Sequence, residues 1–265
     1  KRVRRITGAD VRFINKNAFT REDQFRIQPD VDAEYDAIMN ARMIRVKRVE
    51  LARLVDNLAM ITVVDNETYF EEMKARLEGA AWLNFQGGEY TYFSRAEVAT
   101  ALNRARTGLI LSAVEGTNRA SIEYLLCGLP VVSTPSEGGR DVFFDEDYCA
   151  IVEPTAEAVQ QGVQRMLAQD VGPEKIRDRT LRRVREHRAQ LLDLAGELAG
   201  RELGVDVDEW LDRFPRDLKF RCDPEAFLPF LRSDYFQGGV PASTSAAGLR
   251  RHHPETWSDI TGRPA

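Results

Sequence analysis

The sequence predicts an α/β protein, a doubly wound parallel sheet followed by a helical and irregular C-terminal extension. Three features point there. From about residue 10 to 170, short aliphatic or β-branched runs alternate with amphipathic helical stretches. Most of these runs are continuously apolar, as strands covered on both faces must be. After Pro154 the strand signals stop, and helical spacing alone continues to about residue 203.

Taken in order, the expected strands are 11–14, 35–39, 59–64, 82–85, 108–112, 130–133 and 149–152. Between them, Val49, Leu51, Ala52, Val55 and Leu58 suit one face of a helix, as do Phe70, Met73 and Leu77. Ser94 and Glu97 form a capping box that opens a helix over 95–105. The next helix starts near Asn118 and stops at Cys127, where Gly128 supplies a left-handed cap and Pro130 opens a strand. Residues 156–203 read as two helices separated near Gly172-Pro173. From residue 204 onward the chain is broken by prolines and a Gly-Ser-Thr-rich stretch, giving two parts: a domain over 1–200 and an extension over 201–265.

At 265 residues, 43% hydrophobic and 30% charged, the chain has the composition of a globular domain with a core of its own. No apolar run reaches the roughly 20 residues that span a bilayer, and no leader pattern opens the sequence, so the expected compartment is cytoplasmic, with a peripheral place at the inner membrane left open. A net charge of -5, with both signs interspersed, argues against nucleic acid as a partner. Cys127, Cys149 and Cys222 are odd in number and far apart, and His187, His252 and His253 show no ligand spacing, so neither a disulfide framework nor a protein-held metal is expected.

The chemistry concentrates in the stretch from Ser112 to Val132. A buried strand ends, a short polar loop with Gly116, Thr117 and Asn118 follows, and a helix begins. Free amides and the positive helix end therefore face the carboxyl edge of the sheet, where an anion belongs. Glu115 and Glu123 bracket this loop and can accept hydrogen bonds from hydroxyls while the amides hold phosphate, a division of labour that suits a nucleotide sugar. By spacing alone, the pair could equally be a loop glutamate and a solvated helix glutamate.

The same stretch resembles the E-x7-E motif of the retaining glycosyltransferase family 4, whose trailing small-Cys-Gly-x-Pro-Val-Val segment is matched by Cys127 to Val132. Upstream, Arg42 and Lys47 are similar to the family's strand-Gly-Arg-x4-Lys segment. The resemblance implies a Rossmann-like, GT-B donor half. It assigns Glu115 to donor-sugar hydroxyls, Glu123 to the ribose, and Arg42 and Lys47 to the diphosphate, whose leaving charge they stabilise. Gly87 resembles the strand-end Gly that precedes the base-binding loop, and Tyr90, Tyr92 or Phe93 would then lie near the base, Tyr92 being the candidate carried forward.

Departures are visible: Asn40-Ala41 replaces the Gly before the arginine, Arg48 the Gly after the lysine, and Thr117-Asn118 an aromatic-Gly pair. The family's N-terminal acceptor domain has no counterpart here and would come from a missing domain or a partner chain. The implied activity is metal-independent, retaining transfer from a UDP- or GDP-sugar to a glycan, lipid or small-molecule acceptor, without a cofactor. Two rivals remain: a non-catalytic or regulatory nucleotide-sugar-binding module, and a GT-B-like epimerase or phosphorylase.

Overall fold

The computed structural model describes residues 12–169 and 171–200. Eight strands are present: β1 (Ala37–Asn40), β2 (Leu58–Ile61), β3 (Ala81–Trp82), β4 (Phe85–Gln86), β5 (Glu89–Tyr90), β6 (Gly108–Ile110), β7 (Val131–Ser133) and β8 (Cys149–Ile151). Five α-helices accompany them: α1 (Glu67–Arg76), α2 (Arg95–Asn103), α3 (Arg119–Leu126), α4 (Ala156–Ala168) and α5 (Pro173–Ala199). Asn15–Val184 form one compact unit that contains the sheet. In the second unit, among the described residues, the Phe13 ring meets the edge of His187 at 6.0 Å and Arg12 pairs with Glu197. The extension expected after residue 200 lies outside the described residues.

The six-stranded sheet has the order β3-β2-β1-β6-β7-β8, and every neighbouring pair is parallel. This is the doubly wound, Rossmann-like arrangement, because the chain builds outward from β1 to β3 and then returns to lay β6 on the other side of β1. Alternation along the strands sends side chains to two cores. Ile38, Ala59, Ile110 and Val131 pack with α2 and α3, while Met39, Met60, Leu109 and Val132 pack with α1 and α4. β1, β2, β6 and β7 are buried almost throughout, which explains their unbroken apolar runs.

Three expectations need correcting. Residues 12–14 form no strand; Asn15 instead caps a single 3-10 turn over Lys16–Phe19 by accepting from the Asn17 amide. The apolar set from Val49 to Val55 is buried, but in a 3-10 turn over Val49–Ala52 and the bend after it, and Leu58 already belongs to β2. The run 82–85 is divided between two strands because Asn84 is buried at its centre and spends its side chain on Thr62, accepting from its amide at 3.1 Å and donating to its carbonyl at 2.7 Å. The Ser94 capping box, the Asn118 cap of α3 and the break between α4 and α5 are as read.

One close approach fixes the centre of the sheet. The Tyr124 ring of α3 lies over Gly108 of β6, and its hydroxyl accepts from the Asn40 amide at the end of β1 at 2.6 Å. A Cβ on Gly108 would sit 2.2 Å from Tyr124 Cδ2. Gly108→Ala is therefore expected to lower stability by about 1–3 kcal/mol in denaturant unfolding, the range for overpacking a closed core; an unchanged midpoint would mean that the ring moves aside freely.

Candidate functional site

The sheet order reverses between β1 and β6, and in this architecture ligands usually sit outside the carboxyl ends of the two strands at such a reversal. The β1 loop carries Arg42 and Lys47, and the β6 loop carries Glu115 to Asn118. A backbone bond from the Ala113 amide to the Val46 carbonyl, 2.9 Å, joins them.

Glu115 is the hub. Its Oε1 accepts from Lys47 Nζ at 2.6 Å, and its Oε2 accepts from Ser112 Oγ at 2.5 Å and from Asn118 Nδ2 at 2.9 Å. Both members of the ion pair are largely shielded, with side chains 15% and 17% exposed. Asn118 meanwhile caps α3 through its Oδ1, which accepts from the Ser121 amide. Among the described residues, the backbone amides of Gly116, Thr117, Asn118 and Arg119 find no acceptor, so the loop and helix start present a row of donors at the positive end of α3.

A second loop supports this one. Glu115 donates its amide to the Glu137 carbonyl at 2.8 Å, and the Gly139 amide donates to the Gly116 carbonyl at 3.0 Å. Gly138 holds φ +128, and a Cβ there would lie 2.0 Å from the Glu115 carbonyl oxygen, so the turn requires glycine. Arg140 is buried, its Nη1 donating to the Ser112 carbonyl at 2.7 Å and its Nη2 to the Thr134 carbonyl. From the N-terminal turn, Asn17 Nδ2 donates to the Asn118 carbonyl at 2.6 Å and Asn15 Nδ2 to the Gly139 carbonyl at 3.1 Å. The loop over 136–141 was legible in the sequence as a supporting βα loop at this edge, whereas the supports from Asn15 and Asn17 were not. For Asn15 and Asn17 the one local signal was an Asn-x-Asn pair at a turn.

Arg42 is placed differently from Lys47. It donates from Nε and Nη2 to the two carboxylate oxygens of Asp65, at 2.8 and 2.6 Å, in an exposed bidentate pair beyond the end of β2. Glu123 points into the protein and is 6% exposed, which removes the solvated-helix reading. Gly87 holds φ 61 in the turn of the β4-β5 hairpin, which is anchored by Phe85 stacking on Phe70 at 4.6 Å. Tyr92 just beyond it is 76% exposed, and among the described residues no contact joins either of them to the Glu115 cluster. A separate groove of about 530 Å³ lies at the opposite, amino edge of the sheet, lined by Asn103, Arg106, Cys127 and Pro173 among others, away from all these groups.

The sequence profile of a family described as glycosyl transferase-like matches residues 58–192, just over half of the chain. The chain belongs to this glycosyl transferase-like family. Glu115 and Glu123 fall inside the matched segment, and Arg42 and Lys47 before it. No curated protein sequence matches the chain.

Its fold is shared with glycosyltransferases of the GT-B class. It is similar to AviGT4, a glycosyltransferase involved in avilamycin A biosynthesis, at a TM-score of 0.57 and 16% identity, over 71% of this chain and 58% of that one. Sucrose-phosphate synthase from Thermosynechococcus elongatus gives 0.54 and 18%, over 68% and 51%. TarM from S. aureus, in complex with fondaparinux, α-GlcNAc-glycerol and UDP, gives 0.50 and 19%, over 64% and 37%. This glycosyl transferase-like chain thus covers 58% or less of each of these proteins.

Among the described residues no helix is long and apolar enough to cross a membrane, and no three His, Cys, Asp or Glu side chains gather as metal ligands would.

Burial pushes the Glu123 carboxyl up to about 7, against the pull of Arg119 and Arg95. A carboxyl raised on folding stabilises the protein below its unfolded value of 4.5, and that contribution is lost as pH rises through about 7. Compared with Glu123→Gln, the wild type should therefore lose about 1–3 kcal/mol of relative stability between pH 4.5 and 8 in denaturant unfolding. A pH-independent difference would place the carboxylate in water.

Proposed function

We propose that this chain binds a nucleoside-diphosphate sugar between the β1 and β6 loops. In the intact enzyme the sugar would pass to an acceptor hydroxyl with retention of configuration, as in glycosyltransferase family 4. The observation that carries this reading is the Lys47-Glu115 ion pair, set across the reversal of the sheet beside a row of amides without acceptors. A cation, an anion and a donor row so placed match the three parts of such a donor: diphosphate, sugar hydroxyls and the charge that develops on the leaving group.

The free protein holds Lys47 on Glu115. An arriving diphosphate takes over Lys47 and the amides of 116–119, and Glu115, released, accepts hydrogen bonds from the sugar. Glu123 serves the ribose from inside α3, and Arg42, once drawn from Asp65, adds a second cation. Gly87 and Tyr92 on the hairpin side approach the base. In the transfer step the bond from the anomeric carbon to the phosphate oxygen breaks, and the acceptor oxygen bonds to that carbon from the same face. The acceptor's proton passes to the departing phosphate. The protein contributes positioning and charge stabilisation, and no divalent metal or other cofactor enters. UDP, present in the TarM complex, is the first nucleotide to test, and GDP the second. The acceptor side is supplied by a further domain or a partner chain.

Calorimetry with UDP, GDP and their sugar conjugates in EDTA tests this. One of the two series is expected to bind without metal. In Glu115→Gln the diphosphate keeps or gains affinity, because Lys47 no longer has to leave a carboxylate. The increment added by the sugar falls by about 1–3 kcal/mol, the range for hydrogen bonds to a charged acceptor. An absolute need for Mg or Mn, or equal losses for diphosphate and sugar conjugate, would contradict the assignment.

A further inference from the structure

Arg48 is out of place both in its backbone and in its side chain. It follows Lys47 and holds φ 50, ψ 44 between two 3-10 turns, the left-handed conformation that suits glycine and that a long side chain adopts only where its surroundings impose it. Its Nη1 is buried without a hydrogen-bond partner, and no carboxylate or carbonyl among the described residues accepts from its guanidinium. The contrast within the same sheet edge is plain. Arg42 has Asp65, Lys47 has Glu115, and Arg140 has two carbonyls.

Two cations locate it. It directly follows Lys47, which reaches Glu115, and its charge is felt at Arg140, which is fixed to the carbonyls of Ser112 and Thr134 just past β6 and β7. Burial holds the Arg140 guanidinium down to about 10 against the pull of Glu115 and Asp141, and the positive charge of Arg48 adds to the lowering. Arg48 therefore adds a partly desolvated guanidinium, bonded to no carboxylate among the described residues, to a cluster that holds Lys47, Arg140, Glu115 and Asp141, and an incoming anion could satisfy it. It is neither a structural tie, since no described residue accepts from it, nor a freely solvated charge, since Nη1 is buried. The adjoining loop carries the acceptor-free amides of 116–119, so the same anion can satisfy both.

Resting on the donor-site reading above, we propose that Arg48 is a further ligand of the donor's diphosphate, taking a non-bridging phosphate oxygen beside Lys47. The residue extends the donor site by one cation beyond Arg42 and Lys47.

The test is calorimetric titration of the full 265-residue chain with UDP and GDP at two salt concentrations, the tighter ligand serving as probe and its nucleoside as control. Arg48→Gly accepts φ 50 without strain, so its melting temperature should equal or exceed that of the wild type. Its affinity for the nucleoside diphosphate should fall about 10- to 100-fold, with a weaker salt dependence and unchanged nucleoside binding. Arg48→Asn, which also tolerates the left-handed region, should behave alike, and Arg48→Lys should recover part of the loss. If both neutral variants bind the diphosphate as the wild type does, Arg48 is not a ligand, while the donor site stands. Equal losses for nucleoside and diphosphate would make Arg48 a loop-shaping residue and overturn the inference. A wild type that binds neither UDP nor GDP would remove the donor-site reading, and this inference with it.

Discussion

The ion pair between Lys47 and Glu115 joins the two loops that leave the sheet on either side of its reversal. Neither loop is long or regular, and the pair ties the β1 loop to the better-braced β6 loop. Shielded from water on both members, the pair is held against its desolvation cost by the additional bonds that Ser112 and Asn118 give to Glu115. The geometry of the site follows from it, as does the account of how a diphosphate would enter: by exchanging one anion for another at the same ammonium.

Behind that pair the sheet edge is braced in depth. Arg140 ties the ends of β6 and β7, the Gly138-Gly139 turn packs against the carbonyls of Glu115 and Gly116, and the turn at Asn15 to Asn17 reaches the first residue of the α3 cap. Tyr124 connects α3 back to the end of β1. Two separate stretches of chain, 15–17 and 138–140, thus brace the loop over 116–119, and Tyr124 ties its helix to β1, so its donors are aligned before a ligand arrives and little ordering remains to be done on binding.

The parts of this arrangement that rest on local rules were legible in the sequence. The capping box at Ser94, the Asn118 cap and the unbroken apolar strands each follow from residues within a few positions of one another, and so the helix start and the carboxylates flanking it could be found. The spacing of Glu115 and Glu123 could be read, but not that one is paired and the other buried. Partnerships such as Arg42 with Asp65 and Lys47 with Glu115 span 23 and 68 residues, and no local pattern encodes them. The apolar set from Val49 to Leu58 misled for the opposite reason: its periodicity reports burial correctly, yet a short crossover of 3-10 turns buries the same positions as a helix would. Asn84 similarly broke an expected strand through a side-chain bond to another strand's backbone.

A crystal structure of this chain with the nucleoside diphosphate that it binds most tightly tests the central claim most directly. The diphosphate should lie against the amides of 116–119 with Lys47 Nζ turned from Glu115 to a phosphate oxygen. A nucleotide seated elsewhere, for example in the groove at the amino edge of the sheet beside Arg106 and Cys127, with the Lys47-Glu115 pair left intact, would contradict it.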